Sequence, residues 1–462
     1  MLDLDDRTAI QNTLASQRHF FNSGRTKNLD FRLQSLNRLK TAIIKNEAAI
    51  FEALKNDLYK PAYEGYLTEI GLVLEEIRFV SRRLKSWVKP RKVRTPHALW
   101  FGSSAIYPEP YGISLIISPW NYPFQLAISP LVGSIAAGNC TVIKPSEYAP
   151  HTSRIISEII EGHFDSQYVA VVEGDTQISK DLLNEHFDYI FFTGSVAVGK
   201  TVMSAAAKFL TPVTLELGGK SPCIVDQDVN IDMAARRITS GKFINSGQTC
   251  LAPDYLLVHR SNKQKLLDKI KVYLRKFYGK DPRKSPDYVR IINKRHFDRL
   301  AALLDKGDIV AGGQTDAEGL YIAPTLLQNV SWNDPVMQDE IFGPILPVLE
   351  FEDSSEVIAA INSRPKPLAL YFFSNQRERY QRIVEEVSFG GGCINDTLSH
   401  FVNPHLPFGG TGSSGMGSYH GKASFDTFSH QKSIFKRWFN FDLPLRFPPY
   451  KNKLSIIKKI LR

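Results

Sequence analysis

From residue 111 onward the chain alternates short apolar runs with helical patterns, and that alternation restricts it to a layered α/β architecture. Ile113-Ser114-Leu115-Ile116-Ile117 reads as a buried strand ending at Ser118-Pro119-Trp120-Asn121-Tyr122-Pro123. Residues 124–138 read as a helix and 141–143 as the next strand, ending at Lys144-Pro145-Ser146-Glu147. Further strands are expected at 169–172 and 189–192. Strands alternating with helices build a parallel sheet, and such sheets bind ligands at the strands' carboxyl ends. A second pattern of this kind spans about 217–420, with strands at 223–225, 255–258, 345–348 and 368–373. Two or three domains are expected for 462 residues.

The flanking segments differ. Residues 1–88 read as successive amphipathic helices, including 31–58 and 66–85, with apolar positions at helical spacing. After a turn at Pro90, a strand–turn–strand pattern covers 98–107, with its turn at Gly102-Ser103-Ser104. A lone hairpin is marginally stable and needs a partner surface. Residues 429–439 read as one more strand, and together with the hairpin they would present an unpaired edge, which proteins usually cover.

Chemistry concentrates in a few stretches. Phe243-Ile244-Asn245-Ser246-Gly247-Gln248-Thr249-Cys250-Leu251-Ala252-Pro253 puts Cys250 just past a glycine that should end a helical pattern, and just before a strand. Free cysteine is often only a small buried apolar residue, but on a loop facing a cleft its thiolate is the strongest side-chain nucleophile. Leu215-Glu216-Leu217-Gly218-Gly219-Lys220-Ser221-Pro222 sets a carboxylate among apolar residues and glycines, where a raised pKa suits it to general-base work. Phe192-Thr193-Gly194-Ser195-Val196-Ala197-Val198-Gly199-Lys200 joins a strand to a helix expected over 201–209. Glycines there let a pyrophosphate approach backbone N–H groups at the positive helix end, although the spacing is not Gly-x-Gly-x-x-Gly. The glycine-rich loop 409–415 lacks the Lys-Ser/Thr ending of a P-loop and reads as a crossing beside the active site.

Glu-Leu-Gly-Gly-Lys-Ser-Pro and Gly-Gln-Thr-Cys, with Glu216 and Cys250 34 positions apart, together resemble the aldehyde dehydrogenase superfamily over nearly the whole chain, and its class 3 and fatty-aldehyde branch best. The resemblance implies a Rossmann-like parallel-sheet cofactor domain (1–96 and 111–216) and a second α/β catalytic domain (217–420). It also implies a small β bridging, or oligomerisation, element (97–110 and 421–445), ahead of a basic amphipathic tail (446–462). Cys250 would add to an aldehyde carbonyl to give a thiohemiacetal, with Asn121 and the Cys250 N–H holding the oxyanion. After hydride transfer, Glu216 would activate the water that hydrolyses the thioester. For the cofactor the resemblance implies Trp120, Gly194, Ser195, Gly199, Leu217 and Gly218, with Lys144 and Glu147 facing the adenosine ribose. In Glu340-Ile341-Phe342-Gly343-Pro344, Glu340 would hold the nicotinamide ribose and Phe342 would pack at the ring's end of the site. Read without the resemblance, Lys144 and Glu147 form a solvated charged turn, Asn121 closes a turn and Glu340 is an exposed acid at a corner. A carboxylate accepts from a ribose 2′-hydroxyl and repels a 2′-phosphate, whereas Lys144 softens that preference; NAD is expected and NADP is compatible. Tyr122 and Phe401 are expected on the substrate funnel. Lys220 either draws protons from Cys250 or caps a loop, and His420 has no assigned role. The branch resembled here forms homodimers by sheet extension.

Composition narrows the partners. The net charge of +10 invites a nucleic-acid reading, yet nine Lys/Arg and one acid, Asp442, lie between Lys432 and Arg462. The body is therefore close to neutral, and no groove for phosphates is expected. Cys140, Cys223, Cys250 and Cys393 show neither metal-ligand spacing nor the density of a secreted scaffold, which fits a reducing, cytoplasmic setting without a metal. The amino terminus is acidic, unlike a secretory signal, and no apolar run approaches the roughly 18 residues of a spanning helix. In the tail, Leu454, Ile456, Ile457, Ile460 and Leu461 share one side and Lys458, Lys459 and Arg462 the other, with Lys453 placed to snorkel outward. That apolar side docks on the enzyme's own body, shields a funnel for medium- or long-chain apolar aldehydes, or rests peripherally on an anionic membrane. Two readings stand beside the hydrolytic dehydrogenase. A coenzyme-A-acylating enzyme would dispense with Glu216, and a non-catalytic family member would be signalled by loss of Cys, Glu or Asn, none of which is lost.

Overall fold

The computed structural model describes residues 4–99, 101–440, 442 and 444–460. Its first sheet has six strands, in the order Gly415–Met416, Val213–Glu216, Tyr189–Thr193, Ile113–Ile117, Cys140–Lys144 and Val169–Val171. Five run parallel, and Gly415–Met416 closes the edge antiparallel to Leu215 and Glu216. The central strands are short, apolar and buried along their length, as parallel strands under helices must be. The helix Gln125–Ala137, buried at every position, packs on two of them. Chain order reverses beside Ile113–Ile117, so a crevice opens at the strand ends carrying Ser118–Asn121 and Thr193–Ser195.

The second sheet has seven strands, ordered Asp308–Ala311, Thr325–Gln328, Ile345–Phe351, Tyr255–His259, Pro222–Val225, Ala369–Phe373 and Gly391–Ile394. All but the first are parallel to their neighbours. The third sheet is antiparallel, with Gly102–Pro110 between Arg91–Val93 and Ser429–Arg437. Its outer strand Ser429–Arg437 leaves Ile434 and Phe435 exposed.

Several expectations need correction. The hairpin expected over 98–107 does not form: Gly102 begins a nine-residue strand, and the bend is a 3-10 turn at His97–Leu99. Gly102 marks a close approach rather than a turn, because a Cβ there would stand 2.3 Å from the Phe435 ring. Trp100, part of the expected first arm, lies outside the described residues, as do Leu461 and Arg462. The helix expected over 31–58 breaks into Leu29–Lys45 and Glu47–Leu58 at Asn46, whose amide turns back to donate to Ala42 O at 2.8 Å. The 66–85 helix opens with a π-turn, Tyr66–Ile70, before Gly71–Trp87. The helix expected over 201–209 runs Val196–Ala207, because Ser195 Oγ caps the Val198 N–H. In the tail, Leu454–Ile460 is helical with Leu454 and Ile456 exposed, while Lys453 donates back to Pro444 O and Phe447 O instead of reaching outward. No helix among the described residues is long and apolar enough to cross a membrane.

Candidate active site

The helix Ile231–Phe243 stops four residues earlier than the glycine signal suggested, and the chain then turns left-handed through Asn245 (φ 51°), Ser246 (φ 51°) and Gly247 (φ 71°). Non-glycine residues are strained there, so neighbours must impose the turn. Glu64 Oε1 accepts from Asn245 N at 3.0 Å, Asn121 Nδ2 donates to Gln248 O at 3.0 Å, and Gln248 Oε1 accepts from Ile292 N at 3.0 Å. Thr249 Oγ1 pairs with Tyr122 OH at 2.7 Å, and Tyr371 OH donates to Leu251 O at 2.7 Å. A Cβ on Gly247 would stand 2.3 Å from Gly343 O, so the position requires glycine. The cysteine loop is thereby fixed from both sheets.

Behind it sits a fully buried ion pair. Lys60 Nζ meets Glu69 Oε1 at 2.6 Å, donates to Asn121 O at 3.3 Å and lies 4.2 Å from the centre of the Tyr122 ring. Glu69 Oε2 accepts from the N–H groups of Phe124 and Gln125, where the helix Gln125–Ala137 begins. None of Lys60, Glu64 and Glu69 was anticipated. The available signal was an acid on an apolar stripe: Glu69 and Glu76 share the buried side of their helix with Val73, Ile77 and Val80.

Two cavities meet at Cys250. One is walled mainly by apolar groups such as Leu72, Leu251, Phe401 and Phe408, with Tyr122 among them. The other is lined by Trp120, Asn121, Gly194, Ser195, Gly218, Glu340 and Phe342. Leu126, Thr193, Glu216, Leu217 and Cys250 belong to both walls. Lys144, Glu147 and Gly199 line neither. Lys144 is no solvated turn residue: it is 1 % exposed, donates to Pro145 O at 2.7 Å and pairs with Glu147 at 3.5 Å, and burial pushes its pKa down. Gly199 serves packing, since a Cβ there would stand 2.6 Å from Leu217 Cδ2. Lys220 pairs with Asp254 and donates to Val336 O and Asp339 O, which ties down the loop before Glu340. His420 lines a neighbouring cavity with Phe401 and Leu72. His296 and Arg299, one helical turn apart on Lys294–Ala301, reach the second cavity without having been anticipated.

The electrostatics follow from burial. Both oxygens of Glu216 lack a protein partner, and desolvation pushes its pKa well above the ordinary carboxyl value. Burial pushes the Cys250 thiol up as well, Glu340 and Glu216 add to this, and the N–H groups of Cys250 and Leu251 oppose it. Burial, then Asp254, raises Glu340 to about 8 against the Gly219 N–H, Lys220 and Arg299. Burial holds His296 at about 4, hence neutral, with its ring 4.9 Å from that of Trp120.

The second cavity fits a dinucleotide cofactor. Gly194 and Gly218 give it walls without side chains, and a Cβ on Gly218 would stand 2.0 Å from Glu340 Oε2. The amino end of the helix Val196–Ala207 faces the same strand end.

The profile of the aldehyde dehydrogenase family matches residues 3–434, and the chain belongs to that family. It is accordingly an enzyme that oxidises an aldehyde with NAD(P). It is 50 % identical to the 4,4'-diaponeurosporen-aldehyde dehydrogenase of Staphylococcus aureus, over 98 % of this chain and 99 % of that one. With the dimeric NADP-preferring aldehyde dehydrogenase of Rattus norvegicus it shares 46 % identity, over 97 % and 99 % of the two chains. The substrate-bound structure of Staphylococcus aureus AldH aligns with a TM-score of 0.96 at 49 % identity, covering 98 % of this chain and 99 % of that one. A P. syringae indole-3-acetaldehyde dehydrogenase mutant in complex with NAD+ and IAA aligns with a TM-score of 0.85 at 26 % identity, covering 94 % and 89 %.

Proposed function

We propose that Cys250 is the nucleophile and Glu216 the general base, with Asn121 and the Cys250 N–H as oxyanion donors, in hydrolytic oxidation of medium- or long-chain apolar aldehydes. The observation that carries this reading is that Cys250 and Glu216 share the wall between an apolar cavity and one fitted to a dinucleotide. Burial raises the pKa of both groups, so each releases its proton to solvent before it acts, the thiol ahead of addition and Glu216 ahead of the water's attack, and the N–H groups of Cys250 and Leu251 favour charge on sulfur. Sγ then adds to the carbonyl carbon. The Asn121 amide spends one N–H on Gln248 O and keeps the other for the oxyanion, a donor worth about 3 kcal/mol in the transition state. Trp120, Gly194, Ser195, Leu217, Gly218, Glu340 and Phe342 would hold NAD(P), with Lys144 and Glu147 toward the adenosine ribose, and the bound cofactor would supply the hydride acceptor. Glu216 takes a proton from water as it attacks the thioester, and the carboxylic acid leaves.

The substrate class is supported by the apolar walls of the first cavity and by the diaponeurosporen-aldehyde in the name of the Staphylococcus aureus relative. We assign 1–96 and 111–216 to cofactor binding, 217–420 to catalysis, and 97–110 with 421–445 to a bridging sheet through which two copies pair. The exposed outer strand Ser429–Arg437 and the dimeric rat relative support the homodimer. Four free cysteines support a cytoplasmic setting, and the exposed apolar residues of the basic tail support peripheral contact with anionic lipid. Cys250→Ala should abolish turnover, whereas Glu216→Gln should give a burst of NADH followed by a depressed steady state. Full steady-state activity in Glu216→Gln would remove it as the base.

A further inference from the structure

Thr193 and Glu216 are register partners on adjacent parallel strands, so both side chains leave the same face of the sheet, and both line the two cavities. Tyr419 joins them from a distant part of the chain. It follows the strand Gly415–Met416 that pairs with Glu216, and its backbone exchanges hydrogen bonds with Phe408 at 3.0 and 2.8 Å. Its ring meets Phe191 edge-on at 5.1 Å, it is 1 % exposed, and it lines the Cys250 cavity. The other hydroxyl and amide groups on that wall are committed: Thr68 donates to Glu64 O, Tyr122 pairs with Thr249, and Gln125 donates to Ser129. Thr193 Oγ1, Tyr419 OH and both oxygens of Glu216 have no protein partner; the Gln125 side chain adjoins the phenol without closing a hydrogen bond. Each buried group left unsatisfied costs about 1–3 kcal/mol. Several on one cavity wall therefore mark a place built to hold something polar.

We propose that Thr193 and Tyr419 hold the water that Glu216 activates, with the Tyr419 phenol as donor. The inference rests on the reading of Cys250 as nucleophile and Glu216 as base. Burial keeps the phenol protonated, so it can only donate its proton outward or accept, and Thr193 can do either. Two such hydroxyls fix the water's orientation, leaving one lone pair for the thioester carbon and one O–H for Glu216. In the step itself the water oxygen bonds to that carbon, its proton passes to Glu216, and the carbonyl π pair moves onto oxygen. That pair returns as the C–Sγ bond breaks, the bonding electrons leave on sulfur, and the carboxylic acid departs. The proton on Glu216 then goes to the thiolate or to solvent. Relayed through the water, the phenol's hydrogen bond also favours the ionised form of Glu216.

The test compares Tyr419→Phe, Thr193→Val and Glu216→Gln in the full chain, with hexanal and NAD+. Stopped-flow NADH formation reports acylation, and mass spectrometry of quenched protein reports the thioester. Both hydroxyl variants should keep full burst amplitude, which also counts correctly folded sites, and accumulate thioester. Deacylation should slow roughly 2- to 10-fold, the range for losing a hydrogen bond to a neutral group. Tyr419→Phe should also move the acid limb of deacylation to higher pH, which a packing defect alone would not do. Wild-type deacylation in both hydroxyl variants overturns the inference, as does a burst slowed in the same proportion. Normal deacylation in Glu216→Gln refutes the base itself. Slow deacylation there with normal deacylation in Tyr419→Phe refutes only the hydroxyls' part.

Discussion

Lys60→Met probes how far the segment Asn121–Gln125 and the Cys250 loop depend on the ion pair beneath them. Both side chains of the Lys60–Glu69 pair are 0 % exposed, and Lys60 opposes the upward push of burial on the Glu69 pKa. Removing one partner of such a pair typically costs about 3–5 kcal/mol, because the remaining charge is stranded. Glu69 keeps two backbone donors, Phe124 and Gln125, so the lower end, roughly 3 kcal/mol, is expected. Without its cation Glu69 is raised further and takes up a proton on folding. Above its ordinary value of 4.5 the folded variant then binds more protons than the unfolded one, so its deficit grows as pH rises and shrinks toward acid. Urea unfolding at pH 5 and pH 8, with Lys60→Met, Glu69→Gln and the double variant as a cycle, measures this. The double variant should be more stable than Lys60→Met, since a neutral amide oxygen still accepts from the backbone. Because Lys60 also holds Asn121 O, kcat should fall more than KM changes. A cost below about 1 kcal/mol in Lys60→Met, or a double variant weaker than that single one, would refute the reasoning.

Gly247→Ala should abolish thiol reactivity toward an aldehyde while leaving the far-ultraviolet spectrum near wild type, because the added methyl meets Gly343 O across the cysteine turn. Glu76, which accepts from Gly421 N and is raised by burial to about 7, should cost the wild type up to about 3 kcal/mol relative to Glu76→Gln as pH rises from 4.5 through 7; urea midpoints at pH 5 and pH 8 check the sign. Deleting 451–462 should raise the apparent KM for long-chain aldehydes more than for short ones, and should weaken salt-sensitive binding to anionic vesicles. Light scattering should report a dimer at micromolar concentration, and Ile434→Lys with Phe435→Lys should dissociate it.

The buried strands were readable because a parallel sheet under helices needs short apolar runs rich in β-branched or aromatic residues, and Ile113–Ile117 and Tyr189–Thr193 are that. The places of Cys250 and Glu216 in the fold were readable, the first from the break at Gly247 ahead of a strand and the second from Gly218-Gly219 after an apolar run. Gly102 was misread because one residue type serves both turns and close ring contact, and only the distant Phe435 decides which. Lys144 could not be placed inside by local sequence, since its burial comes from neighbouring elements rather than from its own turn. Glu64 supports the left-handed turn at Asn245 from 181 positions away, and no local pattern encodes that contact. Tyr419 meets Phe191 by the same kind of long-range placement.

Two strands from late in the chain close sheets begun much earlier: Gly415–Met416 against Val213–Glu216, and Ser429–Arg437 against Gly102–Pro110. On the ribosome, the edge bearing Glu216 therefore stays bare until residues 415–416 emerge, and the strand Gly102–Pro110 waits longer still. Bare edges recruit foreign strands, and nascent chains hold them open at translation speed. A premature stop between 400 and 414 leaves two sheets unfinished at once, and one between 417 and 428 leaves only the Gly102–Pro110 sheet open. Such a product should aggregate rather than persist as a soluble, merely inactive enzyme, so the interval before residue 437 emerges is the one in which this protein most needs a chaperone.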